Sequence, residues 1–192
     1  MKNPKALLAI IACTLLIAAC SGNDSEKNNH SRAAMISELR RFKKALRSAD
    51  SKELCTFFSF PVSSDSLATA RFIDSTLKES GSINADWMVK HFRNLLITDS
   101  DSMFCKLFDH ITLSALSKQD KIQKEVHIKG EGCYYNYSVS IDGDKLELFY
   151  GTNTNEEMAT DTDDMICGEF AYIWIFRLVN NRMVFEKEFM AG

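Results

Sequence analysis

The chain has 192 residues, 45% of them hydrophobic, with 23 basic against 26 acidic side chains and a formal net charge of −3. Taking Lys2 and Lys5 from the basic set leaves 21 against 26, about −5, which argues against nucleic acid as a partner, because phosphate binding needs a basic stripe. Residues 33–192 are about the size of one domain, and no internal repeat or proline-rich hinge divides them.

The amino terminus is organised for export. Lys2 and Lys5 precede an uncharged stretch, residues 6–19, that is too short to cross a bilayer as a permanent helix. That is the build of a secretory signal. Its last residues, Ile17-Ala18-Ala19-Cys20, resemble the lipobox of bacterial lipoproteins. The resemblance implies cleavage before Cys20, lipidation of its thiol, including palmitate, and a cell-envelope protein held on the membrane by its acyl chains. Ser21 in place of an aspartate implies the outer membrane of a Gram-negative bacterium. The competing readings are an ordinary cleavable signal or a buried amino-terminal helix. Residues 21–32 carry no aliphatic or aromatic side chain, so they read as a flexible tether. The expected organisation is a signal peptide over 1–19, a tether over 20–32 and a single domain over 33–192.

Helical periodicity fills the first half. Met35, Leu39, Phe42 and Leu46 recur on one helix face, with Arg40, Arg41, Lys43, Lys44 and Arg47 over the rest as a solvated surface. Asp50 and Glu53 have the spacing of a capping box opening a short helix that must end before Pro61. Leu67, Ala70, Ile73 and Leu77, closed by Gly81, predict a third helix. Asn84 caps a fourth bearing Met88, Phe92 and Leu95, and a further amphipathic stretch runs from Met103 to Leu116.

The second half alternates with period two, as strands do. Asp142-Gly143 is a hairpin signal, and a turn centred there pairs Val139 with Leu146, Tyr137 with Leu148 and Tyr135 with Tyr150. Phe170, Tyr172, Trp174, Phe176 and Leu178 share one face of the next strand, while Ala171, Ile173 and Ile175 share the other, which predicts a central strand covered twice. Residues 182–189 close the sheet after the Asn180-Asn181 turn, and residues 122–129 supply a strand ahead of a bulge at 130–132.

Helices followed by an antiparallel meander ending in "WIFRLVNNRMVFEKEF" resemble the nuclear transport factor two-like, or cystatin-like, cone superfamily. "FKKALRSADSKELCTFFSFPV" and "NADWMVKHFRNLL" resemble its helical words. The resemblance implies an α+β fold with N-terminal helices packed on a strongly curved antiparallel sheet. That fold hosts isomerases, dehydratases, cyclases, ligand sensors and protein-binding modules, so it does not choose a function.

In such a cone Tyr135, Tyr137 and Tyr150 would line a ligand pocket, with Trp87 and Trp174 as neighbours; the other reading makes them ordinary core residues. Catalysis of the isomerase kind would need a pocket acid or base, for which Glu169, Asp109, His91 and His110 are the candidates. Glu169 shares strand parity with Cys167, Ala171 and Ile173, where an unpaired carboxylate is costly, although it also stands near the strand's start. The expectation is a non-catalytic domain that binds a small apolar or amphipathic ligand or a protein partner. An enzyme and a homodimer joined through Ile173 and Ile175 are the alternatives.

The remaining signals are local. Cys55, Cys105, Cys133 and Cys167 allow three pairings or four free thiols. Asp161, Asp163 and Asp164 lack the glycine and distal glutamate of a calcium loop, and His127 with Glu131 is too few ligands for a metal, so no cofactor is expected. Asp65-Ser66-Leu67, Asp74-Ser75-Thr76 and Asp101-Ser102-Met103 resemble a short acceptor motif for O-glycosylation in exported bacterial proteins.

Overall fold

The computed structural model describes residues 22–77, 81–96, 103–127, 133–154 and 167–192. Among the described residues five α-helices precede the main sheet: α1 (Gly22–Arg47), α2 (Ser51–Cys55), α3 (Thr69–Ile73), α4 (Ala85–Leu96) and α5 (Met103–His110), followed by a 3₁₀ turn over Leu113–Ser117. Two short strands, β1 (Val62–Ser63) and β2 (Ser82–Ile83), pair between them. Then come β3 (Lys121–His127), β4 (Cys133–Asp142), β5 (Lys145–Thr154), β6 (Phe170–Val179) and β7 (Arg182–Ala191). These five form one antiparallel sheet in sequential order. The fold is α+β as expected, but the sheet is not strongly curled.

Helix α1 differs from the tether reading: it begins at Gly22, so residues 22–32 are helical. Once a helix is nucleated each added residue brings one hydrogen bond, and no proline interrupts this stretch. Arg32 pins that part to the body, donating from Nε to the Leu116 carbonyl at 2.7 Å and pairing with Asp120. The apolar stripe behaves as its spacing predicts, since Met35, Leu39 and Phe42 are wholly buried and Leu46 nearly so. Asp50 caps α2 by accepting from the Glu53 amide at 3.0 Å, and Asn84 caps α4 by accepting from the Trp87 amide at 2.8 Å. The third helix is shorter than its apolar repeat suggests, because Asp74 turns to extended backbone and ends it. The fifth divides, giving way after His110 to the 3₁₀ turn that buries Leu113 and Leu116.

The β4–β5 register corrects the turn. Asp142 pairs with Lys145, so Gly143 and Asp144 are the central residues, and Tyr137 faces Tyr150 while Tyr135 faces Thr152. Gly143 alone has positive φ, +59°, at the first central position, which is what a type II′ turn requires. Because the pairing moves by two residues, every side chain keeps its face. Asn180 and Asn181 both take positive φ, 51° and 60°, as a type I′ turn demands.

The helices and one sheet face enclose the core, in which Phe42, Phe57, Trp174 and Phe176 are almost fully buried. Strand β6 is internal, between β5 and β7, but among the described residues the core covers it on one side only. On its other side Ile175 is 4% exposed yet stands apart from that core, flanked across strands by Glu147 and Lys187. Long flanking side chains can shield such a residue by laying their methylenes over it. The free edge of β7 is taken up by the amino-terminal half: the Phe185 amide donates to Phe57 O and the Glu188 amide to Ser66 O, each at 2.7 Å. Cys133 and Cys167 are joined, and Cys55 and Cys105 are half-buried. Among the described residues no helix is long and apolar enough to cross a membrane.

Candidate functional site

The three tyrosines come together on the core face of the sheet. Tyr137 and Tyr150 lie with ring centroids 5.4 Å apart, Tyr135 stacks on Tyr150 at 6.2 Å, and the ladder continues through Phe170 at 5.4 Å to Tyr172 at 5.5 Å. Burial falls along this ladder. Tyr137 is 1% and Tyr150 6% exposed, whereas Tyr135, Phe170 and Tyr172 are half-buried. Trp174 is also 1% exposed, packed among Phe58, Phe104 and Phe185. The middle of the hollow is thus filled by rings, and among the described residues the aromatic surface opens toward the β6 entry end. Trp87 is engaged differently: its indole donates to Asp74 Oδ2 at 2.9 Å and its face stacks on His91.

At that open end two adjoining depressions share Phe170, Ala171, Ala191 and Gly192. One, of about 390 Å³, is floored by Phe170, Tyr172 and Met190 beside Phe72, which is 80% exposed. The other, of about 260 Å³, includes Phe149, Asn153 and Glu169. Gly151 is required beneath Phe149: a Cβ there would stand 2.9 Å from Phe170 O and 3.0 Å from the Phe149 ring. Thr152 bridges the strands at this end, donating to Gly168 O at 2.8 Å and accepting from the Phe170 amide at 3.3 Å.

Of the candidate acids and bases, Glu169, Asp109 and His110 are exposed, and His91 is half-buried against the Trp87 ring. Glu169 lies just before β6, exposed, and accepts from the Thr154 amide at 3.3 Å, so the strand-start reading describes it and the apolar-face reading does not. Asp109 is an exposed residue of α5 paired with Arg47 at 2.6 Å. His110 is exposed and stacks on Tyr137. Cys20, Glu131, the acidic run with Asp161, Asp163 and Asp164, and the Asp101-Ser102 pair lie outside the described residues. Of the other two acceptor-like triplets, Ser75 is exposed and Ser66 half-buried.

Sequence reasoning missed a buried carboxylate. Glu188 is 5% exposed and accepts from Trp174 Nε1 at 3.0 Å, Thr69 N at 2.8 Å and Thr69 Oγ1 at 2.6 Å. Strict alternation from Phe185 would turn Lys187 and Phe189 inward. A register shift between Ile175 and Phe176 passes Glu186 without a partner, and Glu188 takes the inward place instead. Its three donors satisfy it, so it acts as a clamp between β6, β7 and α3.

No protein-family model, curated protein or solved structure matches this chain.

Proposed function

We propose that the chain is a cell-envelope lipoprotein, acylated at Cys20 and held on the outer membrane of a Gram-negative bacterium, whose domain binds an apolar or amphipathic small molecule or a protein partner without catalysis. The lipid anchor is supported by the Ile17-Ala18-Ala19-Cys20 word behind an uncharged signal. The binding reading is carried by one observation, the apolar depression of about 390 Å³ with Phe72 80% exposed at its side. Exposed aromatics against a concave apolar floor are a usual mark of binding surfaces. The non-catalytic reading is supported by the exposure of Glu169 and Asp109, since tuning a carboxylate for acid–base work calls for an apolar enclosure. We also read the fold as a shallow version of the nuclear transport factor two-like cone, on the order of its helices and strands.

Palmitate labelling tests the anchor: label enters the wild-type chain and is absent from Cys20→Ser. Fluorescence of anilinonaphthalene sulfonate tests the depression. Phe72→Ser lowers dye binding, and unchanged binding would refute the assignment. A homodimer is favoured by a different observation, the outer sheet face on which Phe149 and Ile173 are half-buried and Phe189 is 45% exposed. Light scattering distinguishes it, a monomer at all concentrations counting against it.

A further inference from the structure

Helix α1 carries a second surface, unrelated to the apolar depression. Ala33, Ser37, Arg40, Lys44, Arg47 and Ser48 are all exposed. At 100° per residue they fall in one stripe, opposite the buried Met35, Leu39, Phe42 and Leu46, and none of them is acidic. Toward the carboxyl end of the helix, Arg40, Lys43, Lys44, Arg47 and Ser48 line a shallow depression of about 460 Å³ with no carboxylate in its lining. Arg40 with Lys44, and Lys43 with Arg47, stand four residues apart, a spacing at which like charges repel and destabilise a helix. Two of the four cations are partly engaged. Lys43 donates to Phe108 O at 2.8 Å, and Arg47 meets Asp109 at 2.6 Å. Burial, and then the charge of Arg47, lower the Lys43 pKa, against the opposing pull of Asp109. In a chain whose net charge is −3, such a concentrated positive face is suited to an anionic partner.

We infer that this face of α1 rests on anionic lipid headgroups, Arg40, Lys43, Lys44 and Arg47 taking their phosphates while the helix lies along the bilayer. The choice of a membrane over another anionic surface rests on the proposed anchor. Helix α1 starts two residues after Cys20 and its 26 residues run about 39 Å at 1.5 Å each, so anchor and cations can meet one surface together. Acyl attachment and a polybasic patch reinforce each other, the patch contributing only within a short screening distance. The arrangement sets an orientation. The sheet packs on the far side of α1, so its outer face turns away from the membrane and toward partners.

Among the described residues every core residue lies between Met35 and Phe185, so the chain from residue 21 onward keeps that core while lacking signal and acyl groups. Flotation of that chain with vesicles of phosphatidylcholine, with and without phosphatidylglycerol, isolates the surface from the anchor. The expected result is partition onto the phosphatidylglycerol vesicles alone, lost on adding salt. Arg40→Gln with Lys44→Gln lowers that partition by about 25-fold, roughly fivefold for each cation removed. Lys124→Gln, at an exposed cation of β3, leaves it unchanged, and far-UV circular dichroism confirms that the variants are folded. Partition onto pure phosphatidylcholine to the same degree, no partition onto either vesicle, or wild-type behaviour of the double variant would each overturn the inference. Failure of Cys20 acylation is read separately, in palmitate incorporation, and leaves this measurement untouched.

Discussion

The indole of Trp174 donates across 3.0 Å to Glu188 Oε1 inside the core, and the two residues are direct partners across the β6–β7 ladder. The same carboxylate receives the Thr69 amide and hydroxyl, so one buried side chain ties the last strand to the start of α3. Removing it leaves the Trp174 and Thr69 donors without partners where water cannot replace it. Glu188→Ala therefore lowers stability by about 3 kcal/mol in urea unfolding. Glu186→Ala, two residues away in an exposed pair with Arg177, changes it by less than about 0.5 kcal/mol. Equal effects would refute the clamp.

Glu38 joins α1 to the start of β7. Arg41 bonds it with two nitrogens, at 2.9 and 2.7 Å, and the Met183 amide donates to it at 3.1 Å. Burial pushes its pKa up, but the bonds from Arg41 and Met183 and the charges of Arg41 and Arg182 outweigh this and hold it below the ordinary glutamate value of 4.5. The stability it contributes is present above about pH 4.5 and is lost as pH falls through the lowered folded value. Glu38→Gln is accordingly less stable than wild type at neutral pH, and the difference narrows in acid. Denaturant midpoints measured across acidic pH check this.

Asp74 predicts a second acid-sensitive contact. The Thr76 hydroxyl, the Trp87 indole and the Thr76 amide all donate to it, and its carboxyl falls from 3.8 to about 2. Protonation between about pH 3.8 and about 2 weakens the link between the end of α3 and helix α4. Trp87 fluorescence reports it directly, because Trp174 is buried elsewhere. Asp74→Asn shifts that emission at neutral pH and removes its low-pH step.

The Cys133–Cys167 bridge spans a sequence separation of 34 residues and fastens the start of β4 to the residue three before β6. On loop-closure entropy, replacing both by Ser costs about 3.8 kcal/mol. Cys55→Ser costs much less, since that thiol is half-buried and unbridged. In the chain from residue 21, alkylation under denaturing conditions without reductant modifies two cysteines, and four after reduction.

The local features were legible because their causes are local. The α1 stripe follows from the spacing of Met35, Leu39, Phe42 and Leu46, and the caps at Asp50 and Asn84 follow from side chains that reach only three residues. The facing of Tyr135, Tyr137 and Tyr150 survived even a wrong turn position, because a two-residue shift preserves strand parity. An acid-free basic stripe could likewise be read on a helical wheel, although its concave lining could not.

What the sequence by itself determined is the elements and their faces, consequences of composition and short-range periodicity. Tertiary structure alone decided the rest: the bulge at Glu186 that turns Glu188 inward, the choice of Cys133 with Cys167, and the filling of the hollow by Trp174 and Phe42 beside an open Phe170–Tyr172 end. Each depends on which distant segments pack together, and spacing along one strand or helix carries no information about its partner across the core.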